Sequence, residues 1–300
     1  MKLSRRFFLR LFSAGFFGLG MKTKISFGAK SPLPVFNKVK LGRTGIFVTP
    51  LAFGAARTQE SGLLKAALDS GMNFLDTGRS YAAGQNEVMV GKTIKEIRKQ
   101  VVIQSKVKIP FKSGEKDKIT GHLQKELEAS LKALQTDFID ILLYHMATSE
   151  DLLFDKSVMD FFKSAKEKGL IRAHGFSTHS NQVELIKANN RHGGFYDVVM
   201  VTINPHGALV HSKTGWKTSW DQVALFTELR EARENGVSVL AMKTCSGGPF
   251  AYDKADQPTF PGAIRWVIDQ PEVDCAVVAM ANYKEIAEDT GIFEDVGLLY

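Results

Sequence analysis

Four residues with side chains suited to proton transfer lie where short apolar runs of the sequence end. Asp76, Lys106 and His145 each end such a run, and Tyr81 lies in the loop just after Asp76. A carboxylate, an ammonium, an imidazole and a phenol held together can move a proton to a carbonyl oxygen. Barrels of parallel strands hold their catalytic residues at the carboxyl-terminal ends of the strands. The sequence therefore predicts a proton-transfer site built from three successive strand ends.

The strands that would position these residues belong to a regular alternation of short apolar runs and longer helical patterns. Short apolar runs are typical of parallel strands that are buried on both faces. The helical spacing of apolar residues is clearest in 119–134, and the helical segments 156–169 and 221–236 both end in glycine, which favours a helix end. The predicted strands are 51–54, 73–76, 101–106, 139–145, 173–177, 198–204, 238–243 and 275–280.

Eight strand–helix pairs in one apolar-rich segment predict an α/β fold of the (β/α)8 TIM barrel class. A small antiparallel hairpin, 38–41 with 47–50, precedes the first barrel strand. The alternative is a doubly wound open sheet, but the G-x-G-x-x-G turn that normally follows its first strand is missing from the sequence. We expect a signal segment at 1–29, a linker at 30–37 and the barrel at 38–300.

The charge of the chain does not indicate a nucleic-acid-binding surface. The formal net charge is +7, but residues 1–29 contain six basic residues and no acids, so the remainder carries only +1. Cys245 and Cys275 lie in separate apolar runs, which favours two buried core residues over a disulfide or a cysteine-rich metal site. A metal site at His174 and His179 lacks a third ligand in the sequence pattern, and we expect none.

The amino-terminal segment has the pattern of an export signal. Residues 4–10 read SRRFFLR, and the apolar stretch 11–20 that follows is too short for an ordinary membrane span. Adjacent arginines followed by Phe and Leu resemble a twin-arginine signal. This resemblance implies that residues 4–10 engage the export machinery, that the folded chain reaches the periplasm, and that no stable transmembrane span remains after processing. An ordinary secretory signal or an uncleaved anchor is the alternative.

Several short motifs in order along the chain resemble those of the aldo-keto reductases. The opening reads KLGRTG at 40–45 and PLAFG at 50–54. Asp76-Thr77, Tyr81, Glu87 and Gly91 match the second strand and helix of that family. Further matches are VIQSK at 102–106, ILLYH at 141–145, GFS at 175–177, AMK at 241–243 and AIRWV at 263–267. The ordered set covers some 250 residues, from Val39 onward.

The resemblance assigns a role to each of the four strand-end residues. Members of the family transfer a hydride from a nicotinamide dinucleotide to a carbonyl carbon, and Tyr81 would be the general acid. A free phenol has a pKa near ~10, so Lys106 is expected to stabilise the phenolate and lower that pKa. Asp76 would hold Lys106 in place and charged, and His145 would orient the substrate carbonyl.

The resemblance also implies a cofactor site, with several departures from the family pattern. At the nicotinamide end Ser177 matches, but Thr178 and Met200 replace an Asn and a Gln that hold the carboxamide. Met242 replaces an aromatic residue. Ala281 stands where the family commonly places a basic residue for the 2′-phosphate, so the cofactor is expected to be NADP or NAD, with NADP favoured by the resemblance alone. The remaining expected cofactor-binding residues are Lys243, Ser246, Gly247, Asn282, Glu288 and Asp289.

These observations predict an exported aldo-keto reductase-like enzyme that reduces an aldehyde or ketone, or runs in reverse. We expect the loop 205–219, with His206, His211 and Trp216, and Trp220 just after it, to form a substrate wall or to pack on the barrel rim. One alternative is a non-catalytic or regulatory periplasmic barrel kept for binding. Another is proton abstraction by the same four residues without hydride transfer.

Overall fold

The structure is a computed structural model that describes residues 36–109, 118–210 and 215–293. The predicted signal segment 1–29 and most of the predicted linker lie outside these residues. The strands are β1 (Val39–Lys40), β2 (Phe47–Val48), β3 (Leu51–Gly54), β4 (Phe74–Asp76), β5 (Val102–Val107), β6 (Ile139–Tyr144), β7 (Ile171–Thr178), β8 (Val198–Thr202), β9 (Ala208–Val210), β10 (Lys217–Ser219), β11 (Ser238–Met242) and β12 (Cys275–Ala279). The α-helices are α1 (Ser61–Asp69), α2 (Gln85–Ile94), α3 (Ile119–Leu134), α4 (Glu150–Leu153), α5 (Lys156–Glu167), α6 (Gln182–Arg191), α7 (Gln222–Glu234), α8 (Phe260–Ile268) and α9 (Tyr283–Gly291).

Eight parallel strands close into a barrel, in the order β3, β4, β5, β6, β7, β8, β11, β12 and back to β3. The predicted (β/α)8 barrel and its eight strands are therefore confirmed. Apolar side chains of the strands and of the surrounding helices form one large core between them. In α3, for example, Ile119, Leu123, Leu127 and Leu134 are buried, as their spacing predicts.

The predicted amino-terminal hairpin is present and closes one end of the barrel. It is shorter than expected, because only Val39–Lys40 and Phe47–Val48 pair. Leu41, Ile46 and Val48 are fully buried and join a second apolar cluster with residues that point into the barrel. Gly42 is required at the turn, since its φ is +44° and a Cβ there would lie 2.3 Å from the carbonyl oxygen of Gly236.

Three buried aspartates at the amino-terminal end of the barrel join neighbouring strands. Asp140 accepts a hydrogen bond from the Ile103 amide at 2.9 Å, and Asp274 accepts one from the Val239 amide at 2.9 Å. Asp197 accepts the corresponding, longer hydrogen bond from the amide of His174 on β7, at 3.4 Å. Each aspartate also pairs with basic side chains, which are Arg98 and Arg172 for Asp140, Arg43 and Lys166 for Asp197, and Arg233 for Asp274. These five cations are thus neutralised within the chain.

The segment predicted as an irregular loop at 205–219 contains a hairpin. Ala208 pairs with Ser219 and Val210 with Lys217, while the connecting residues 211–214, including His211, lie outside the described part of the chain. Within the described residues, no helix is long and apolar enough to cross a membrane.

Candidate active site

Lys106 and Asp76 form a buried ion pair at the carboxyl-terminal ends of β5 and β4. Lys106 is 1% exposed and Asp76 is 3% exposed. The ammonium contacts Oδ1 of Asp76 and donates to the carbonyl oxygen of Thr77 at 2.7 Å. Burial lowers the pKa of Lys106, but the charge of Asp76 and the nearby Tyr81 outweigh it, so the pKa lies above its ordinary value. Lys106 is therefore an ammonium at neutral pH.

Gln104 supports this ion pair from the barrel interior. Its side chain is completely buried, and Nε2 donates to Oδ1 of Asp76 at 2.7 Å. The same nitrogen lies 3.3 Å from Sδ of Met200 on β8, across the barrel. Within the described residues, Oε1 of Gln104 has no hydrogen-bond partner. Gln104 was not predicted as a site residue, because an amide two residues before a lysine carries no recognisable signal in a single sequence.

Tyr81 lies over Lys106, as the sequence predicted. The Lys106 ammonium is 4.8 Å from the centre of the Tyr81 ring. The ring centres of Tyr81 and His145 are 5.8 Å apart, with the rings nearly perpendicular at 81°. Burial raises the pKa of Tyr81, and the opposing charge of Lys106 only partly offsets this, so the net pKa lies above its ordinary value. Lys106 thus acts in the predicted direction, but the predicted net lowering of the pKa is wrong because burial outweighs it.

A strained turn holds Tyr81 in place. Ala82 and Ala83 have φ values of 48° and 52°, and Gly84 follows with φ of 86°. Left-handed backbone is costly for alanine and persists only where the surroundings impose it. Here the Arg79 guanidinium packs against Gly84 and pairs with the fully buried Glu87. Two adjacent alanines do not indicate a left-handed turn, so the sequence does not predict it.

His145 directly follows β6 and is a neutral imidazole. It is 7% exposed, and its Nδ1 lies 3.3 Å from the hydroxyl oxygen of Ser80. Burial, followed by the positive charges of Lys106, His179 and Lys108, lowers the pKa of His145 to about 3. The ring can therefore form hydrogen bonds near neutral pH but carries no charge there.

The residues expected at the nicotinamide end lie on the facing strand ends, but their polar atoms are partly committed. The hydroxyl of Thr178 donates to the carbonyl oxygen of Ala147 at 2.8 Å and also contacts the backbone of Ser180. Ser177 accepts a hydrogen bond from the amide of Met146 at 3.3 Å. The structure thus leaves Ser177 as the better polar partner at this end, since Met200 and Met242 are buried thioethers.

Three further expected cofactor-binding residues follow β11. Lys243 is exposed and has φ of 59°. Desolvation by neighbouring protein atoms and the positive charge of Arg57 lower the pKa of Lys243. Gly247 lies so close to Asn204 and His206 that a Cβ would come within 2.8 Å of both, which leaves room only for glycine. Ser246 lies between Lys243 and Gly247 in the sequence, and its amide donates to the carbonyl oxygen of Lys243 at 3.0 Å.

The last three expected cofactor-binding residues lie at or within α9 and have contacts there. Asn282 caps the helix by accepting from the Glu285 amide at 2.9 Å, and Glu288 pairs with Lys284 at 3.3 Å. Asp289 is 6% exposed, and burial together with the charges of Glu285 and Glu288 raises its pKa to about 7. These contacts stabilise the helix end, and a contact of the three residues with a ligand stays a prediction.

An open cavity of about 600 Å³ adjoins the site at His145. Its wall includes Lys108, His122, Glu126 and Met146. None of these residues was predicted to line a substrate site. The described residues expected there lie elsewhere, since the His206 ring contacts the carbonyl oxygen of Pro249 and the Trp220 indole donates to Gln222. Trp216 also does not line this cavity.

His174 belongs to the core and not to the site. Its ring stacks on Phe162 with ring centres 5.4 Å apart, within a cluster that includes Phe195 and Tyr196. Within the described residues, no group of three or more His, Cys, Asp or Glu side chains is placed to hold a metal ion.

Comparison with known proteins gives the family by sequence and the fold by structure. The model of the Aldo/keto reductase family matches residues 52–262. The aldo-keto reductase YhdN of Bacillus subtilis is 35% identical over 130 residues, covering 42% of this chain and 39% of that protein. The methylglyoxal reductase YeaE of Escherichia coli is 33% identical over 121 residues, covering 40% of this chain and 39% of that protein. The matches thus span about two fifths of the length of these curated relatives.

Solved structures share the fold over most of the chain. The holo form of aldo-keto reductase AKR11C1 from Bacillus halodurans has a TM-score of 0.70 at 21% identity, covering 87% of this chain and 92% of that one. An aldo-keto reductase from Klebsiella pneumoniae in complex with NADPH has a TM-score of 0.64 at 23% identity, covering 87% and 91%. At these identities the likeness concerns the fold. The sequence match spans more than half of the chain, and with the barrel and its strand-end residues it shows that the chain belongs to the aldo/keto reductase family.

Proposed function

We propose that the chain reduces an aldehyde or ketone, or catalyses the reverse oxidation, with Tyr81 as the general acid. The observation that carries this proposal is the cluster of Tyr81, Lys106, Asp76 and His145 at three adjacent strand ends. A nicotinamide dinucleotide, when bound, supplies the hydride. The four side chains then have to hold the carbonyl group and protonate its oxygen.

The charge states of these residues suit that task. The raised pKa of Tyr81 keeps its proton on the phenol at neutral pH, so the acid is present in its active form. The Lys106 ammonium stabilises the phenolate that remains after the proton has moved. Since His145 is uncharged, it can form a hydrogen bond with the carbonyl oxygen without adding a second cation beside Lys106.

The donor set at the barrel mouth fits the phosphates of NADP or NAD. Lys243 and Arg57 are exposed, and neither has a carboxylate partner among the described residues. Ser246 offers a hydroxyl in the turn that Gly247 makes possible by packing closely against Asn204 and His206. Ser177 would hold the carboxamide. The NADPH bound by the structural neighbour from Klebsiella pneumoniae supports this cofactor class.

Replacement of Tyr81 by phenylalanine tests the proposal. We expect Tyr81→Phe to lower kcat for reduction of small aldehydes by about 10²–10⁴-fold, because it removes only the acidic proton. The dinucleotide affinity and the unfolding midpoint should stay within error of the wild-type values. Equal turnover by wild type and variant would show that Tyr81 is not the general acid. If neither turns over any carbonyl compound while both bind a dinucleotide, the chain is a binding protein and not a reductase. That alternative is favoured by the commitment of Thr178 to backbone partners.

We further propose that residues 4–10 direct export of the folded chain to the periplasm through the twin-arginine machinery. The pattern SRRFFLR and the apolar stretch after it support this. A double Arg5→Lys and Arg6→Lys variant should remain in the cytoplasm of a bacterium that has this machinery. Equal periplasmic amounts of wild type and variant would exclude the twin-arginine route.

A further inference from the structure

Several cations at the two ends of the barrel differ in whether they have carboxylate partners. At the amino-terminal end, five basic side chains pair with Asp140, Asp197 and Asp274. At the catalytic end, the exposed Arg57, Lys108 and Lys243 have no carboxylate partner among the described residues. Unpaired cations gathered around one opening create a positive potential that attracts anionic ligands.

These three cations fall into two groups. Arg57 follows β3 and Lys243 follows β11, and the two strands are joined through β12. The charge of Arg57 lowers the pKa of Lys243, so the two side chains lie near each other. Both are on the side assigned above to the dinucleotide phosphates. Lys108 follows β5 on another side of the opening, where it lines the cavity beside His145. A phosphate over Lys243 therefore leaves the charge of Lys108 for a different ligand.

The cavity carries its positive charge near the reacting groups. Lys108 is close enough to His145 for its charge to act on that ring. The neutral His145 adds no charge of its own. Among the described residues of the wall, Glu126 is the one carboxylate, and its charge also raises the pKa of Glu87, which burial raises most. The wall thus carries a positive charge at Lys108 and a negative charge at Glu126 on α3.

The backbone near Lys108 is fixed by a side chain of the opposite wall. Nε2 of His122 on α3 lies 2.9 Å from the carbonyl oxygen of Lys108. Ile109, Met146 and Leu152 add apolar side chains to the lining, and Met146 is 43% exposed. A bound molecule would therefore meet apolar side chains together with the ammonium of Lys108 and the ring of His145.

We propose that the carbonyl substrate carries a single carboxylate next to its carbonyl group, bound by Lys108, and that 2-oxo acids are the substrate class. This inference rests on the proposed reductase function. Among the described lining residues there is one ammonium and one carboxylate, and Glu126 would repel a dianionic phosphate more strongly than a monoanion. The volume of about 600 Å³ accommodates an apolar or aromatic substituent on the other side of the carbonyl. Reduction gives the 2-hydroxy acid, with hydride added at carbon from the nicotinamide and the Tyr81 proton at oxygen.

Equilibrium binding of phenylglyoxylate and of its methyl ester to the full chain tests the proposal without turnover. Calorimetry is run with and without oxidised dinucleotide, which cannot reduce a ketone. We expect the acid to bind about tenfold or more tightly than the ester, as one charge-assisted hydrogen bond provides. Lys108→Met should remove this preference, with ester binding unchanged within twofold, and Lys108→Arg should retain most of it. Lys65→Met, which removes an exposed lysine of α1, is the matched control and should have no effect.

Failure of the substrate assignment is distinguishable from failure of the reductase function. If the acid binds no better than the ester, or if Lys108→Met leaves the preference intact, the substrate class is wrong, even if the chain reduces neutral aldehydes. If the acid binds through Lys108 but neither it nor any aldehyde is reduced in the presence of NADPH or NADH, the assignment of Lys108 stands and the reductase function fails.

Discussion

At the residue scale, the proton-transfer site depends on a lysine that has two partners of different kinds. Asp76 keeps Lys106 charged, and Tyr81 is the group that this charge acts upon. Because the ion pair is buried, each member needs its partner, since an isolated buried charge is expensive. The positions of the atoms around Asp76 therefore decide how well Lys106 is directed at Tyr81.

Gln104 is predicted to fix Asp76, and its substitution should affect turnover more than stability. Gln104→Leu removes the 2.7 Å hydrogen bond to Asp76 but also removes an unsatisfied buried oxygen. We expect the free energy of unfolding to change by less than about 1 kcal/mol. We expect kcat to fall by about tenfold, because Asp76 and Lys106 lose a positional restraint. Urea unfolding and turnover of the same samples measure both quantities.

The isosteric variant Gln104→Glu provides the contrast. It places a second carboxyl group against Asp76, and burial and repulsion should raise the pKa of that group. When the pKa of a carboxyl group is higher in the folded chain than in the unfolded chain, the free energy of unfolding falls as pH rises. The variant should therefore be closer to wild type in stability at pH 5 than at pH 8. Equal loss at both values would contradict the contact with Asp76.

The neutral state of His145 predicts a loss of stability in acid. Its pKa is about 3 in the folded chain, against an ordinary value of 6.5. Between these values the unfolded chain binds the proton and the folded chain does not, so stability falls as pH falls from about 6.5. His145→Gln should reduce this dependence, measured as the slope of unfolding free energy between pH 6.5 and 4. An unchanged slope would mean that the imidazole is already charged in the folded protein.

At the element scale, the strands and the turn after β4 differ in how far the sequence predicts them. The runs that form β4, β5 and β6 are apolar and end in polar residues, so Asp76, Lys106 and His145 could be placed together from the sequence. The turn at Tyr81–Gly84 could not be predicted, because alanines in left-handed backbone have no local preference for it. That turn is imposed by tertiary contacts of Arg79 and Glu87.

Gly84 is predicted to be essential for the position of Tyr81. In Gly84→Ala the new Cβ would lie 1.2 Å from Nη2 of Arg79, so Arg79 must leave its place beside Glu87. We expect a loss of about 2–3 kcal/mol in unfolding free energy, since Glu87 would be left as a buried unpaired carboxyl. Turnover should fall as well.

Gly45→Ala is the matched control for that substitution. Gly45 also has positive φ, at +71°, but its Cβ would meet nothing within 4 Å. The variant should cost only about 1 kcal/mol, the price of left-handed alanine, with turnover unchanged. Equal effects of the two alanines on stability and turnover would contradict a specific role for Arg79 and Glu87.

At the scale of the whole molecule, the repeating strand–helix pattern was enough to predict the barrel. The pairing of polar side chains could not be predicted from the sequence. The period of apolar runs is carried by many residues, so single exceptions do not hide it. The contacts of Asp140, Asp197 and Asp274 join residues more than 20 positions apart and have no signature in one sequence. The cavity beside His145 was missed for the same reason, because its walls come from β5, β6 and α3 together.

The unpaired cations at the catalytic end predict that dinucleotides stabilise the whole barrel. A ligand that binds only the folded chain adds about 2.7 kcal/mol at a concentration 100 times its Kd. We expect the unfolding temperature to rise with NADPH or NADH, and Lys243→Met to weaken the effect of either. The ratio of the two shifts tells NADP preference from NAD preference. No shift with either at millimolar concentration would contradict the proposed cofactor site.

Transfer of deuterium from C4-deuterated NADPH or NADH to a carbonyl compound tests the central claim most directly. The wild-type chain and Tyr81→Phe are incubated with the deuterated cofactor and a panel of aldehydes and 2-oxo acids, and the alcohol products are analysed by mass spectrometry. The account predicts deuterated alcohol from the wild type and a loss of two or more orders of magnitude in its rate of formation with Tyr81→Phe. Absence of deuterated alcohol from the wild type, or equal rates from both chains, would contradict it.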